Sequence, residues 1–136
     1  MWTCPECNRV FKVKNQWHSC VIVREDDLFT NKPSSVKEIY TKLLEGCQEF
    51  STIEIDTTKS CIYFVDSNRY LVVKPQKTGL IIEFVLNRNV DVFPVIKIIE
   101  IAKFRFAHRV MLESSDALNE EVMSWIEEAY RILKPD

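Results

Sequence analysis

The spacing of apolar residues predicts two amphipathic helices, one on each side of a β-rich middle segment. The first covers roughly residues 34–50, where Ser35 and Glu38 stand at the spacing of a capping box. The second follows Ser115, which we assign as its N-cap, and stops at Lys134-Pro135. The apolar stripes of the two helices contain Val36, Ile39, Tyr40, Leu43, Leu44 and Cys47, and Leu118, Val122, Trp125, Ile126, Ala129, Tyr130 and Leu133. Each stripe can bury one side of its helix against a core.

The segment between the helices changes to a period of two or to continuous apolar runs, which predicts β-strands. Its connectors are short and carry turn residues, so an antiparallel meander is favoured over helical crossovers. The predicted strands are 52–56, 61–65, 70–73, 80–86 and one long strand at about 96–112. The predicted fold class is therefore α+β, with an antiparallel sheet of about five strands, one helix before it and one after it.

Alternation along the last predicted strand separates its side chains onto two faces. One face carries Phe104, Phe106, His108, Val110 and Leu112, and the other carries Lys103, Arg105, Ala107, Arg109 and Met111. We expect both helices to cover the first face, which makes His108 a hydrogen-bonded core residue rather than a catalytic base. The second face then carries a ladder of cations, which Arg69 and Lys74 would extend from neighbouring strands. Such a ladder is also typical of a solvated sheet face that binds nothing.

Composition supports a globular chain and excludes several protein classes. The 136 residues are 46% hydrophobic and 28% charged, with two glycines, too few for a phosphate-binding loop. No apolar run is long enough to span a membrane, and the first residues do not resemble a secretory signal. Five cysteines without an export signal are typical of a reducing compartment. We expect a soluble, cytoplasmic protein without a membrane partner.

The net charge of −2 hides an uneven distribution along the chain. Residues 1–24 carry +3 (4 basic, 1 acidic) and residues 57–110 carry +5 (9 basic, 4 acidic). Residues 25–56 (3 basic, 8 acidic) and 111–136 (2 basic, 7 acidic) each carry −5. The total argues against indiscriminate binding to nucleic acid, but it permits a surface with one basic side.

The N-terminal segment contains a pattern of metal ligands: Cys4, Cys7, His18 and Cys20. Three thiolates and one imidazole form a closed tetrahedral shell for one structural Zn²⁺ per chain, with no open position for catalysis. His18 and Cys20 can converge only from an extended or looped segment, so a ribbon-like module is favoured. We predict a zinc-binding knuckle over 1–24 and an α+β domain over 25–136. Ordinary reduced thiols or a redox pair are the alternatives.

Motifs near both ends resemble an uncharacterised prokaryotic family catalogued as domain of unknown function 5655. The resemblance rests on Met1-Trp2-Thr3-Cys4-Pro5-Glu6-Cys7, Asn15-Gln16-Trp17-His18-Ser19-Cys20, His108-Arg109-Val110-Met111-Leu112, Ser115-Asp116-Ala117-Leu118 and Trp125-Ile126-Glu127-Glu128-Ala129-Tyr130. It covers nearly the whole chain. It implies the zinc module and the architecture, and it brings no established activity.

These features favour a binding module over an enzyme. We expect the basic sheet face to engage an acidic partner, with nucleic acid as the first candidate, through Lys103, Arg105, Arg109, Arg69 and Lys74. One alternative is a small enzyme with a pocket around His108, although no catalytic residues can be assigned from the sequence. The other is a protein–protein interaction domain. The sequence does not indicate an oligomeric state.

Overall fold

The computed structural model describes residues 1–5, 10–12, 14 and 25–133. Its helices are α1 (Ser34–Gln48) and α2 (Glu120–Leu133), with short 3-10 helices at Glu25–Phe29 and Ser115–Ala117. Its strands are β1 (Trp2–Thr3), β2 (Val10–Phe11), β3 (Glu54–Thr57), β4 (Ile62–Asp66), β5 (Asn68–Pro75), β6 (Leu80–Leu86), β7 (Val95–Ala102) and β8 (Arg105–Leu112).

Both predicted helices are confirmed, but their caps differ from the prediction. The residue before α1 is Pro33, which makes no side-chain cap hydrogen bond, and Ser35 already lies inside the first turn. For α2, the side-chain oxygen of Asn119 accepts a hydrogen bond from the Val122 N–H at 3.0 Å. Asn119 therefore caps α2, while Ser115 begins the preceding 3-10 turn.

The main sheet has six antiparallel strands in the order β3-β4-β5-β6-β8-β7. The predicted count of five was wrong because the stretch 96–112 is two strands joined by a tight turn at Lys103-Phe104. The alternation predicted for residues 105–112 is confirmed, with His108, Val110 and Leu112 buried.

The connection between β6 and β7 changes the order of the last strands. A meander would place β7 beside β6, but β6 pairs with β8 from Leu80–Leu112 to Leu86–Phe106. Residues 87–94 run from one end of the sheet to the other, so β7 starts at the opposite end and pairs only with β8 among the described strands. β7 thereby becomes an edge strand.

The core lies between the two helices and one face of the sheet. It includes Ile39 and Leu43 of α1, Ile126 of α2, and Leu71 and Ile82 of the sheet, all at most 1% exposed. Cys47 is buried, as its place on the apolar stripe predicted, and burial raises its pKa to about 12. Cys61, at the start of a predicted strand, is buried as well. No described helix is long and apolar enough to cross a membrane.

At the N-terminus, β1 and β2 form a small antiparallel pair, with Trp2 opposite Phe11 and Thr3 opposite Val10. Cys4 follows β1 directly and is 3% exposed. The other predicted zinc ligands, Cys7, His18 and Cys20, lie outside the described residues. The described residues contain no cluster of three or more potential metal ligands.

Candidate binding surface on the open sheet face and the β7–β8 hairpin

One row of side chains crosses the sheet on the face that lacks the helices, which we call the open face. Strand register places its members opposite one another from β3 to β7. The row consists of Asp56, Tyr63, Val72, Glu83, Arg109 and Lys97. It mixes both charges with apolar groups, so the open face is not a simple ladder of cations.

Glu83 forms ion pairs with two of the predicted cations. Its Oε1 accepts a hydrogen bond from Arg109 Nε at 2.7 Å and another from Lys74 Nζ at 3.2 Å. Burial alone would raise the pKa of Glu83, but the hydrogen bonds and positive charges of Arg109 and Lys74 together outweigh burial and lower the pKa from its usual value. The group of three therefore carries a net charge of about +1 near neutral pH.

Arg69 is also engaged within the sheet. Its guanidinium donates to Asp56 Oδ2 at 2.6 Å and lies 4.3 Å from the centroid of the Tyr63 ring. Because the guanidinium is paired on one side and stacked on the other, an incoming anion would have to displace Asp56.

The remaining predicted cations lie at the end of the β7–β8 hairpin. We call Lys103, Phe104 and Arg105 the hairpin tip. Among the described residues, no carboxylate forms an ion pair with Lys103 or Arg105, nor with Lys97, which lies beside Arg109 further along β7. Phe104 is 64% exposed, and Lys103 Nζ lies 5.4 Å from its ring centroid. The tip therefore presents two cations beside an exposed aromatic ring.

The backbone of Phe104 is strained. Its φ is 59°, in the left-handed region that glycine and asparagine adopt most readily. A bulky residue at such an angle lowers the stability of the fold by roughly 1–2 kcal/mol. Because the Phe104 ring is mostly exposed, its burial does little to offset this cost. Strain of this kind is concentrated at functional positions, which makes the tip a candidate contact site.

His108 is closed to substrate. Its side chain is fully buried and stacks on the Phe84 ring at 5.7 Å. Nε2 accepts a hydrogen bond from the Val90 N–H, so Nδ1 carries the proton and donates it to the Phe106 carbonyl at 2.9 Å. Burial lowers the pKa of His108 below 6.5. Glu83, a possible carboxylate partner, lies on the opposite face of the sheet. This geometry gives His108 a structural role.

A groove of about 590 Å³ lies on the other side of the molecule, between α1 and α2. Its walls include Lys42, Glu49, Glu120 and Glu127. Lys42 Nζ is already engaged, because it donates to the Ser115 carbonyl at 2.8 Å. The groove is therefore predominantly acidic and does not suit an acidic ligand.

Sequence reasoning missed two parts of this surface. Lys97 belongs to the cross-strand row, but the continuous apolar run around it does not show which face it occupies. The pairing of Glu83 with Arg109 depends on β6 lying beside β8, which the order of strands along the chain does not indicate. The only available signal was the position of Glu83 in the middle of an otherwise apolar strand.

The fold defines an α+β domain in which two helices cover one face of an antiparallel sheet. A family model described as domain of unknown function (DUF5655) matches residues 25–132, and the chain belongs to this family. The match confirms the resemblance over this part of the chain, whereas the N-terminal motif lies outside the matched residues. A search of curated proteins found no match. A search of solved structures found none either.

Proposed function

We propose that this protein is a non-enzymatic binding module that engages an acidic partner, with nucleic acid as the first candidate. The observation that carries the proposal is the hairpin tip, where Lys103 and Arg105 flank the exposed, strained Phe104. Unpaired cations supply affinity for phosphates, and an exposed aromatic ring can stack on a base of a single strand.

We propose different roles for the predicted cations. Lys103 and Arg105 would make the first contacts because no described carboxylate forms an ion pair with them. Arg109, Lys74 and Arg69 would contribute less, since a phosphate must first displace Glu83 or Asp56. The proposed surface is therefore narrower than the full set of five cations that the sequence suggested.

Fluorescence anisotropy with labelled single- and double-stranded DNA and RNA tests this proposal. We expect binding at low salt whose logarithmic affinity falls linearly with logarithmic salt, by about 0.7 for each phosphate neutralised on a single strand. The double variant Lys103→Glu and Arg105→Glu should lose at least tenfold in affinity and show a shallower salt slope.

A matched control carries the same change of charge elsewhere. Lys59 and Lys77 are exposed in turns at the opposite end of the sheet from the hairpin tip. The double variant Lys59→Glu and Lys77→Glu should keep most of the affinity. Equal losses in both double variants, or no binding to any nucleic acid at low salt, would contradict the proposal.

The proposed module also contains a structural zinc site over residues 1–24, apart from the α+β domain of 25–136. Two observations support it: Cys4 is buried, and Cys4 and Cys7 belong to the stretch that connects the paired strands β1 and β2. Cys7, His18 and Cys20 would complete a closed tetrahedral shell. We also propose a cytoplasmic location, because reduced cysteines that bind metal or lie in a core are typical of a reducing compartment.

Metal analysis of the purified chain tests the zinc site. We expect one zinc ion per chain, with Cys4→Ser reducing the zinc content and chelation unfolding the N-terminal segment. Cys61→Ser is the control, because Cys61 is a buried thiol of the main sheet. A chain that is folded throughout and free of metal, when purified without chelator, would refute the zinc site.

A further inference from the structure

The two edges of the six-stranded sheet differ in length and in chemistry. β3 has four residues, of which Glu54 and Asp56 are acidic. Short, charged strands are a common protection against pairing with another chain. β7 has eight residues, Val95–Ala102, and only Lys97 and Glu100 are charged. One edge strand is therefore short and acidic, whereas the other is twice as long and mostly apolar.

Exposed apolar side chains are concentrated on and around β7. Among the described residues, nine large apolar side chains are exposed, and six of them fall between residues 92 and 104. The six are Val92, Phe93, Ile96, Ile99, Ile101 and Phe104. Single exposed apolar residues are ordinary, but a contiguous group along a strand edge is typical of an interaction surface.

We propose that the β7 edge binds the β7 edge of a second copy of this chain, so that two sheets join into one antiparallel sheet across a two-fold axis. Unpaired backbone N–H and C=O groups of an edge strand can hydrogen-bond in this way to another strand. The same patch meets itself across a two-fold axis, so the interface has to be self-complementary.

Strand register shows that β7 meets this requirement. Residues that lie directly opposite each other in a sheet point to the same face. Lys97 and Ile99 lie opposite Arg109 and Ala107 of β8, so both point to the open face. A two-fold axis through Ile98 places Lys97 opposite Ile99 of the second copy. An axis through Ile99 places two copies of Ile99 in direct contact. Neither register opposes two like charges directly.

Charge also favours a second copy over a strongly charged partner strand. β7 carries one cation and one anion, so the strand is neutral and two copies do not repel each other. The pairing of β7 with β8 is irregular at Ile96 and at Ile101, which leaves a regular central segment, Lys97 to Glu100, for pairing with a second strand. The proposal does not depend on nucleic-acid binding by the hairpin tip.

Sedimentation equilibrium of the full chain over a wide range of concentration tests the proposal. We expect a reversible equilibrium that ends at twice the chain mass of 16.0 kDa. Ile99→Lys, at a side chain 44% exposed, should weaken the dimer at least tenfold, because it brings like charges together across the axis. Ile101→Lys, at a side chain 59% exposed, is a second variant of the same edge.

Ile55→Lys is the matched control, because Ile55 is 36% exposed on the other edge strand, β3. This variant should dimerise like the wild type. Backbone hydrogen exchange should also slow in β7, and not in β3, as the protein concentration rises. A wild-type chain that stays monomeric at the highest concentration would overturn the proposal. In that case the β7 edge would have to pair with another segment of the chain or with a different protein. Assembly beyond two copies, or equal weakening by Ile55→Lys, would also overturn it.

Discussion

The backbone N–H of Val90 donates a hydrogen bond to Nε2 of His108 at 3.0 Å. This bond connects the middle of the loop 87–94 to β8, beneath the sheet face that the helices cover. The loop carries the chain from the end of β6 to the start of β7 at the other end of the sheet. His108, considered from the sequence as a possible catalytic base, therefore anchors the loop that leads to the edge strand β7.

We expect the stability of the protein to fall as the pH drops through 6.5. The folded pKa of His108 lies below 6.5, so the unfolded chain binds more protons between the folded and unfolded pKa values. The free energy of unfolding should therefore decrease from about pH 7.5 to about pH 5.5 in urea titrations.

His108→Leu is the companion variant for this pH dependence. It should lose about 1–3 kcal/mol at neutral pH, because the Val90 N–H is left buried without an acceptor. Its stability should also change less than that of the wild type between about pH 7.5 and about pH 5.5. An equal pH dependence in both proteins would assign the effect to another group.

Glu83→Gln should lower stability modestly and raise affinity for a polyanion. The carboxylate is only partly buried, so loss of its ion pairs with Arg109 and Lys74 should cost about 1 kcal/mol. The same change releases two cations on the open face, which should strengthen binding of the oligonucleotides used above. Because the pKa of Glu83 is lower in the folded chain, its ion pairs contribute to the free energy of unfolding above about pH 4.5. This contribution is lost as the pH falls through the folded pKa.

Glu54→Gln is the control for Glu83→Gln. Glu54 is exposed on β3, so this variant removes the same charge without breaking an ion pair of the open face. It should leave stability within about 0.5 kcal/mol of the wild type. Similar gains in affinity from both variants would show that total charge, and not the release of Arg109 and Lys74, controls binding.

Phe104→Gly should stabilise the fold while weakening nucleic-acid binding. Glycine adopts a φ of 59° without steric cost, and relief of strain exceeds the added chain entropy by roughly 0.5 kcal/mol. Phe104→Ala also removes the ring but keeps the unfavourable backbone. It should weaken binding without the gain in thermal stability, and calorimetry compares the two variants. A glycine variant less stable than the wild type would show that the ring contributes to the fold.

Gly79→Ala should destabilise the protein far more than Gly46→Ala. A Cβ at Gly79 would clash with the backbone carbonyl oxygen of Leu112, which cannot move without disturbing the pairing of β6 and β8. We expect a loss of about 2 kcal/mol or more in chemical denaturation. At Gly46 the Cβ would meet the flexible end of Met123, and the helix gains about 1 kcal/mol of propensity, so the net change should be small. Equal losses would contradict this reading of the two glycines.

The candidate surface was only partly predictable from sequence. Alternation along β8 correctly separated Arg109 from His108 because both faces of that strand follow a period of two. The turn at Lys103-Phe104 was missed because it contains no glycine, proline or asparagine, the usual markers of a tight turn. The ion pairs of Glu83 and Asp56 were missed because they join residues of different strands.

The pattern of apolar residues was enough to predict both helices with their buried sides, most of the strands, and the two faces of residues 105–112. These properties follow from the local period of apolar residues, which reports the environment of each face of an element. Which elements lie side by side depends on the folded chain: β8 lies between β6 and β7, Glu83 pairs with both Arg109 and Lys74, and β7 forms an edge. Local periodicity carries no information about which strand lies beside which. The folded chain therefore decides which cations have a carboxylate partner and which strand lies at the edge of the sheet.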